Sequence, residues 1–277
     1  MSGFLDGMAA ASAARVAEAL QRESFADLES RARGTPPPPQ LALSAAGFDV
    51  IAEIKLRSPA AGVLGSASDD WLGRAATYAR VGAAAVSVLT EPSRFDGSLE
   101  HLAAAAARLS PLGVPVMRKD FLVDPYQVLE ARVAGAGGVL VIVRMVPPDA
   151  LVRLLATAAA HGLFVLLEAF DAADLTLAAQ LLRDAAATPG SVLVGVNCRD
   201  LQTLAVDPAR FAALQDALPP GWPAVAESGV ASGEEARRVA ALGYRLALVG
   251  TALMGSADPA TLLSGILRAA RTGAQPT

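Results

Sequence analysis

The feature that most constrains this fold is a repeat. Eight times along the chain a short, continuous apolar run is followed by a helical pattern. The apolar runs are Val50–Lys55, Ala83–Thr90, Val114–Lys119, Gly138–Arg144, Leu163–Glu168, Val192–Asn197, Pro223–Ser228 and Leu246–Gly250. Each lacks the polar alternation of a half-exposed strand, so each reads as a strand covered on both faces. Helical patterns follow them: one from the Asp69-Asp70 start to Gly82, then Ser98–Leu109, Pro125–Ala134, Pro148–Ala160, Ala172–Ala185, Pro208–Ala217, Gly233–Leu242 and Pro259–Arg271. Units recurring every roughly 25–35 residues suit parallel βαβ crossovers. The simplest closed arrangement of eight is a (β/α)₈ TIM barrel, an α/β fold. An open doubly wound sheet is the alternative, and no Gly-x-Gly-x-x-Gly turn after a strand supports it.

The rest of the chain fits one barrel domain over residues 1–277, with the barrel itself from 48 to 272. Residues Phe4 to about Arg33 carry a loose apolar stripe and predict one helix ahead of the barrel. The proline run within Thr35–Gln40 ends it, so residues 1–40 form a helical extension and linker. The apolar fraction of 53% owes much to alanine, and the long apolar run Ala134–Val143 contains three glycines and is too short for a bilayer. The amino end lacks the basic start and sustained apolar core of a signal peptide. A formal charge of −4 argues against a nucleic-acid surface, and the single cysteine precludes an internal disulfide. These features predict a cytoplasmic protein that meets neither membrane nor nucleic acid.

In a barrel, chemistry collects at the carboxyl ends of the strands. Read there, the runs end in Glu53 and Lys55, Thr90-Glu91, Lys119-Asp120, Arg144, Glu168, Asn197-Cys198-Arg199, Glu227-Ser228 and Gly250-Thr251. An unpaired ion buried in an apolar run costs several kcal/mol, so lysines and glutamates at such places predict an acid–base centre. Two glycine turns, Ser228-Gly229 after the seventh run and Gly250-Thr251 after the eighth, suit close approach of backbone N–H groups to a phosphate. Phe95 and Phe121 follow the second and third runs, where they would either stack on an aromatic group or plug the barrel rim. After the first run, Ser58-Pro59 opens an irregular loop with Gly62 and Gly65. His101 and His161 lie in or just after helices and read as packing or surface residues. Cys198 reads as a small packing residue. No metal-ligand spacing is present.

These residues, in the segments VIAEIKLRSPAAG, SVLTEPSRFDGSLEHL, VPVMRKDFLVDPYQVLEARVAGAGGVLVI, LLEAF, VGVNCRDLQTL, VAESGV and LVGTALM, resemble the indole-3-glycerol phosphate synthase family of tryptophan biosynthesis. The resemblance runs from Val50 nearly to the carboxyl end, and the family's extra amino-terminal helix matches as well. It implies a carboxy-lyase that closes the pyrrole ring of 1-(2-carboxyphenylamino)-1-deoxyribulose 5-phosphate, releasing carbon dioxide and water without metal or organic cofactor. By the same resemblance Lys119 is the general acid for the ketone oxygen and Glu168 its acid–base partner in dehydration. Glu53 and Asn197 hold substrate hydroxyls and the Lys119 ammonium, Lys55 and Arg199 supply positive charge, and Glu227 and Ser228 complete the polar ring. Ser58, Pro59, Phe95, Phe121, Arg199 and Leu248 border the substrate, and Gly229, Gly250 and Thr251 match the phosphate turns. The implied partner is this phosphorylated small molecule, with the chain a monomer or weak homo-oligomer. Two positions depart from the family pattern: Ala60, where serine is usual, and Cys198, where asparagine is common.

Overall fold

The computed structural model describes residues 3–58, 62–63, 70–184 and 191–273. Eight parallel strands close into a barrel: Asp49–Ile54, Ala85–Leu89, Val116–Lys119, Gly138–Ile142, Phe164–Ala169, Val192–Asn197, Ala224–Glu227 and Leu246–Val249. Each pairs with its neighbours in sequence, and the first closes on the eighth through Asp49↔Leu246 to Ala52↔Val249. A helix returns the chain after each strand, so this is the expected (β/α)₈ barrel. We number the strands first to eighth in chain order.

The two-residue period of a strand explains why the runs are apolar throughout. Inward positions form one cluster: Ile51, Ala85, Met117, Leu140, Ile142, Phe164, Leu166, Leu193, Val225, Leu246 and Leu248. The alternate positions, among them Val50, Ala52, Val86, Val88, Val139, Val141, Val194 and Val196, pack outward under the helices. At the amino-terminal end Asp49 accepts from Arg245 and Arg271, each at 3.0 Å, and from the backbone N–H of Ser44 at 2.8 Å. This clamp ties the loop before the first strand to the last helix, on the face that serves stability.

Two sequence expectations need correction. The amino-terminal extension is two helices, Phe4–Arg22 and Phe25–Gly34. Ser24 interrupts it, because its hydroxyl accepts the Asp27 N–H and starts a new helix. The fourth strand ends at Ile142, and Val143–Met145 is a 3₁₀ turn. That turn swings Arg144 onto Asp171 and Asp174 (2.8 Å), with its guanidinium 5.0 Å from the Phe170 ring. Arg144 therefore braces the rim instead of ending a strand in the site.

The first helix lies across the carboxyl-terminal mouth of the barrel. Met8 is buried in the inward cluster, and Ser12 donates to the carbonyl of Phe121 at 2.5 Å and accepts from Gln127 at 2.7 Å. Arg15 bonds Asp120 at 2.8 Å. The second helix packs on Pro125–Val133 through Leu28, Ala32 and Leu129.

Candidate active site

The inward parity that fills the barrel with apolar side chains carries on to its upper end, where the side chains turn polar. Glu53 continues from Ile51, Lys119 from Met117, Glu168 from Leu166, Asn197 from Gly195 and Glu227 from Val225. Glu53, Lys119, Glu168 and Glu227 come from the first, third, fifth and seventh strands. Alternate strands contribute a layer in such barrels, so these four form one polar layer above the apolar ones. All three glutamates are buried, each at most 3% exposed.

Lys119 Nζ stands 3.5 Å from Glu168 Oε2 and 3.9 Å from Glu227 Oε2. Lys55 Nζ donates to Glu53 Oε1 at 2.6 Å. Asn197 donates its amide to Glu168 Oε1 at 2.7 Å and accepts the Arg199 N–H on its own oxygen at 2.9 Å. Asn197 holds Glu168, and Glu53 takes Lys55 as its bonded partner, with Lys119 acting on it by charge.

The electrostatics separate these groups. Burial disfavours the Lys119 ammonium, but Glu168, Glu227 and Glu53 outweigh it and raise the pKa above the usual lysine value. Burial likewise opposes the Glu53 carboxylate, and the positive charges of Lys55, Lys119 and Arg199 overcome it, so Glu53 titrates below its ordinary range. Glu227 goes the other way. Burial and the adjacent Glu168 raise it well above the ordinary value, against the pull of Lys119. Among the described residues, both Glu227 oxygens have no hydrogen-bond partner, while Glu168 Oε2 has the Lys119 ammonium at 3.5 Å. Each buried polar group left so costs roughly 1–3 kcal/mol, which marks the layer as built for something other than stability.

The Glu227 environment sets a pH dependence. The folded chain keeps that proton above the ordinary carboxyl value of 4.5, so this group's contribution to stability falls as pH rises from there through the folded pKa. Glu227→Gln lacks the slope. Its melting temperature minus that of wild type is expected to grow as pH rises above 4.5 through the folded pKa. Thermal melts of both proteins across that range check it. A difference that stays flat shows that Glu227 titrates like an unfolded glutamate.

Around the layer lies a cavity of about 210 Å³. Glu53, Lys55, Lys119, Glu168, Asn197, Arg199, Glu227, Ser228, Gly229, Leu248, Gly250, Thr251, Phe95 and Phe121 all line it. Of the remaining expected residues, Pro59 falls outside the described residues, as does Ala60, while the Ser58 backbone pairs with Gly62 in a short hairpin. At one side Phe121 stands between Phe95 and Phe4, with ring centroids 6.3 and 5.9 Å away. Phe4 is a wall residue that the sequence reading missed; it only opens the helical pattern there, one turn before the buried Met8. At the other side Ser228 and Gly229 both adopt left-handed φ values, 64° and 75°. A non-glycine residue held there is strained, a state that persists where surrounding structure enforces it and that clusters at functional sites. Cys198 is buried in the outer core, where burial pushes its thiol up to about 12, so it packs. Among the described residues no group of His, Cys, Asp or Glu side chains is placed to hold a metal ion, and no helix is long and apolar enough to cross a membrane.

A closed barrel with a lysine held among carboxyl groups at the carboxyl ends of its strands defines a (β/α)₈ enzyme of the acid–base kind. The comparisons make the class specific. A family model for indole-3-glycerol phosphate synthase matches residues 5–265. Indole-3-glycerol phosphate synthase 2 of Streptomyces coelicolor is 39% identical over 273 residues, 96% of this chain and 100% of that protein. The Nocardioides indole-3-glycerol phosphate synthase is 41% identical, covering 92% of this chain and 94% of its own. The Mycobacterium tuberculosis protein of that name is 37% identical, with 97% and 94% covered. This chain belongs to the indole-3-glycerol phosphate synthase family. Solved structures of lower identity share the fold alone: 3-hexulose-6-phosphate synthase from Salmonella typhimurium matches with a TM-score of 0.60 at 15% identity, over 81% of this chain and 99% of that one.

Proposed function

We propose that the cavity closes the pyrrole ring of 1-(2-carboxyphenylamino)-1-deoxyribulose 5-phosphate to give indole-3-glycerol phosphate, with loss of carbon dioxide and then water. The observation that carries this reading is Lys119, an ammonium 3.5 Å from Glu168 inside a cavity with aromatic walls on one side and glycine turns on the other. The aromatic ring of the substrate lies against Phe121, Phe95 and Phe4, and the phosphate lies at Ser228-Gly229 and Gly250-Thr251. This leaves the ketone near Lys119. As the ring carbon bonds to the ketone carbon, Lys119 gives its proton to the ketone oxygen. Departure of carbon dioxide restores the aromatic ring. In dehydration the new hydroxyl leaves as water with a proton from an acid, and Glu168 takes up the proton lost from the substrate. The Glu53–Lys55 pair and Arg199 bind the polar chain of the substrate and its carboxylate. The reading includes a cytoplasmic chain, monomeric or weakly associated, that works without a cofactor.

Incubating the purified protein with this substrate should produce indole fluorescence, and inorganic phosphate should compete with it and raise the melting temperature. Without indole fluorescence the proposed reaction is wrong. If phosphate at high millimolar levels neither inhibits nor stabilises, the two glycine turns do not form an anion site.

A further inference from the structure

Two inward glycines stand beside the polar layer, and neither has a left-handed φ. Gly195 is absent from the residues with positive φ, and Gly250 has φ −121°. What each supplies is room. A Cβ on Gly195 would overlap Glu227 Oε1, lie 3.0 Å from the Glu227 carboxyl carbon and meet Leu166 at 3.1 Å. A Cβ on Gly250 would overlap Glu53 Oε1 and lie 3.0 Å from both its carboxyl carbon and Lys55 Nζ. The register explains the first case. Gly195 pairs with Val225, two residues before Glu227 on the adjacent strand, and the glutamate side chain leans back over it.

The three buried carboxyls are held differently. Glu168 is fixed by Asn197 at 2.7 Å and Glu53 by Lys55 at 2.6 Å. Neither oxygen of Glu227 has a hydrogen-bond partner among the described residues, and its lysine is 3.9 Å away. Its position therefore depends on the shape of its surroundings more than that of the other two. We propose that Gly195 is a positioning residue of the acid–base centre, its missing side chain forming the seat of the Glu227 carboxyl. As a statement about catalysis this rests on the function proposed above; as a statement about packing it does not.

The test is a double-mutant cycle of Gly195→Ala with Glu227→Asp, read by kcat/KM and by melting temperature. Aspartate is one methylene shorter, so its carboxyl withdraws from the alanine methyl. Gly195→Ala alone should lower kcat/KM by roughly 10- to 100-fold, the scale of an ångström-sized misplacement, and lower the melting temperature. In the Glu227→Asp background the same alanine should cost little by either measure. Equal losses in both backgrounds, or no loss with glutamate present, overturn the proposal. If Gly195→Ala fails to fold, the pair of variants still decides. A folded double variant supports the seat, and an unfolded one assigns Gly195 to the wall against Leu166. Should the wild type make no indole product, the functional reading fails while the melting-temperature cycle still tests the seat.

Discussion

Lys119→Ala should lower kcat by about 10²–10⁴, the usual worth of a positioned general acid. The barrel should remain, because the truncated side chain sits at the end of the third strand, past the apolar layers that carry the fold. The variant will not be neutral in stability. Lys119 stands between Glu168 and Glu227 and is the positive charge nearest both in this layer. Its folded pKa is raised, so its stabilisation is fully present below the ordinary lysine value of 10.5 and is lost as pH climbs through the folded value. At neutral pH the alanine variant lacks all of it and leaves carboxyls facing one another, so it should melt lower than wild type. Steady-state turnover followed by indole fluorescence, with circular dichroism as a fold control, checks both parts. Turnover within a few-fold of wild type would remove Lys119 from the role of acid.

Much of the site was legible because charge interrupts apolar runs where only paired or functional ions survive. Glu53, Lys119, Glu168 and Glu227 show this signal, and strand parity then sorts neighbours that composition cannot. Arg118 and Lys119 are adjacent and both basic. Lys119 follows Met117 inward, while Arg118 turns outward to the carbonyl of Gln127 (2.8 Å) and to Glu130 and Asp120, each at 3.0 Å. The same parity would have placed Gly195 and Gly250 at the level of the carboxyls. A glycine read only for its turn geometry hides the volume it leaves to a neighbour.

What stayed hidden depends on contacts between distant segments. The helical pattern of residues 4–22 says that one face is apolar. It does not say that this face covers the barrel mouth, because that is decided by Ser12 meeting the Phe121 carbonyl and Arg15 meeting Asp120, more than a hundred residues away in sequence. Phe4 therefore became visible as a wall of the site only through the fold. The turn after Ile142 is a similar case. Gly138–Arg144 is apolar up to its last residue, and nothing local reveals that Asp171 and Asp174 draw Arg144 out of line. Pro59 lies outside the described residues, and around it the sequence offers only proline and glycine punctuation.

Glu168→Gln is the second substitution expected to have a large effect, and it tests the coupling inside the layer. Glutamine keeps the size and can still accept from Asn197, which now bonds Glu168 Oε1 at 2.7 Å, so the side chain should stay in place. What is lost is the ability to take a proton and the negative charge beside Lys119. The first loss should lower kcat by about 10²–10⁴, with a smaller change in KM. The second should be visible in the pH profile. Burial pulls the Lys119 pKa down, and Glu168 is the foremost of the charges that hold it up. With that charge gone burial is less opposed, so the Lys119 pKa falls. The acid must be protonated to act, and the alkaline limb of residual activity should therefore move to lower pH than in wild type. A large drop in kcat with an unmoved alkaline limb would keep Glu168 as a base but break its link to Lys119. Near-normal turnover would show that the proton passes elsewhere, and Glu227, the remaining carboxyl within 3.9 Å of the lysine, would then be the group to examine.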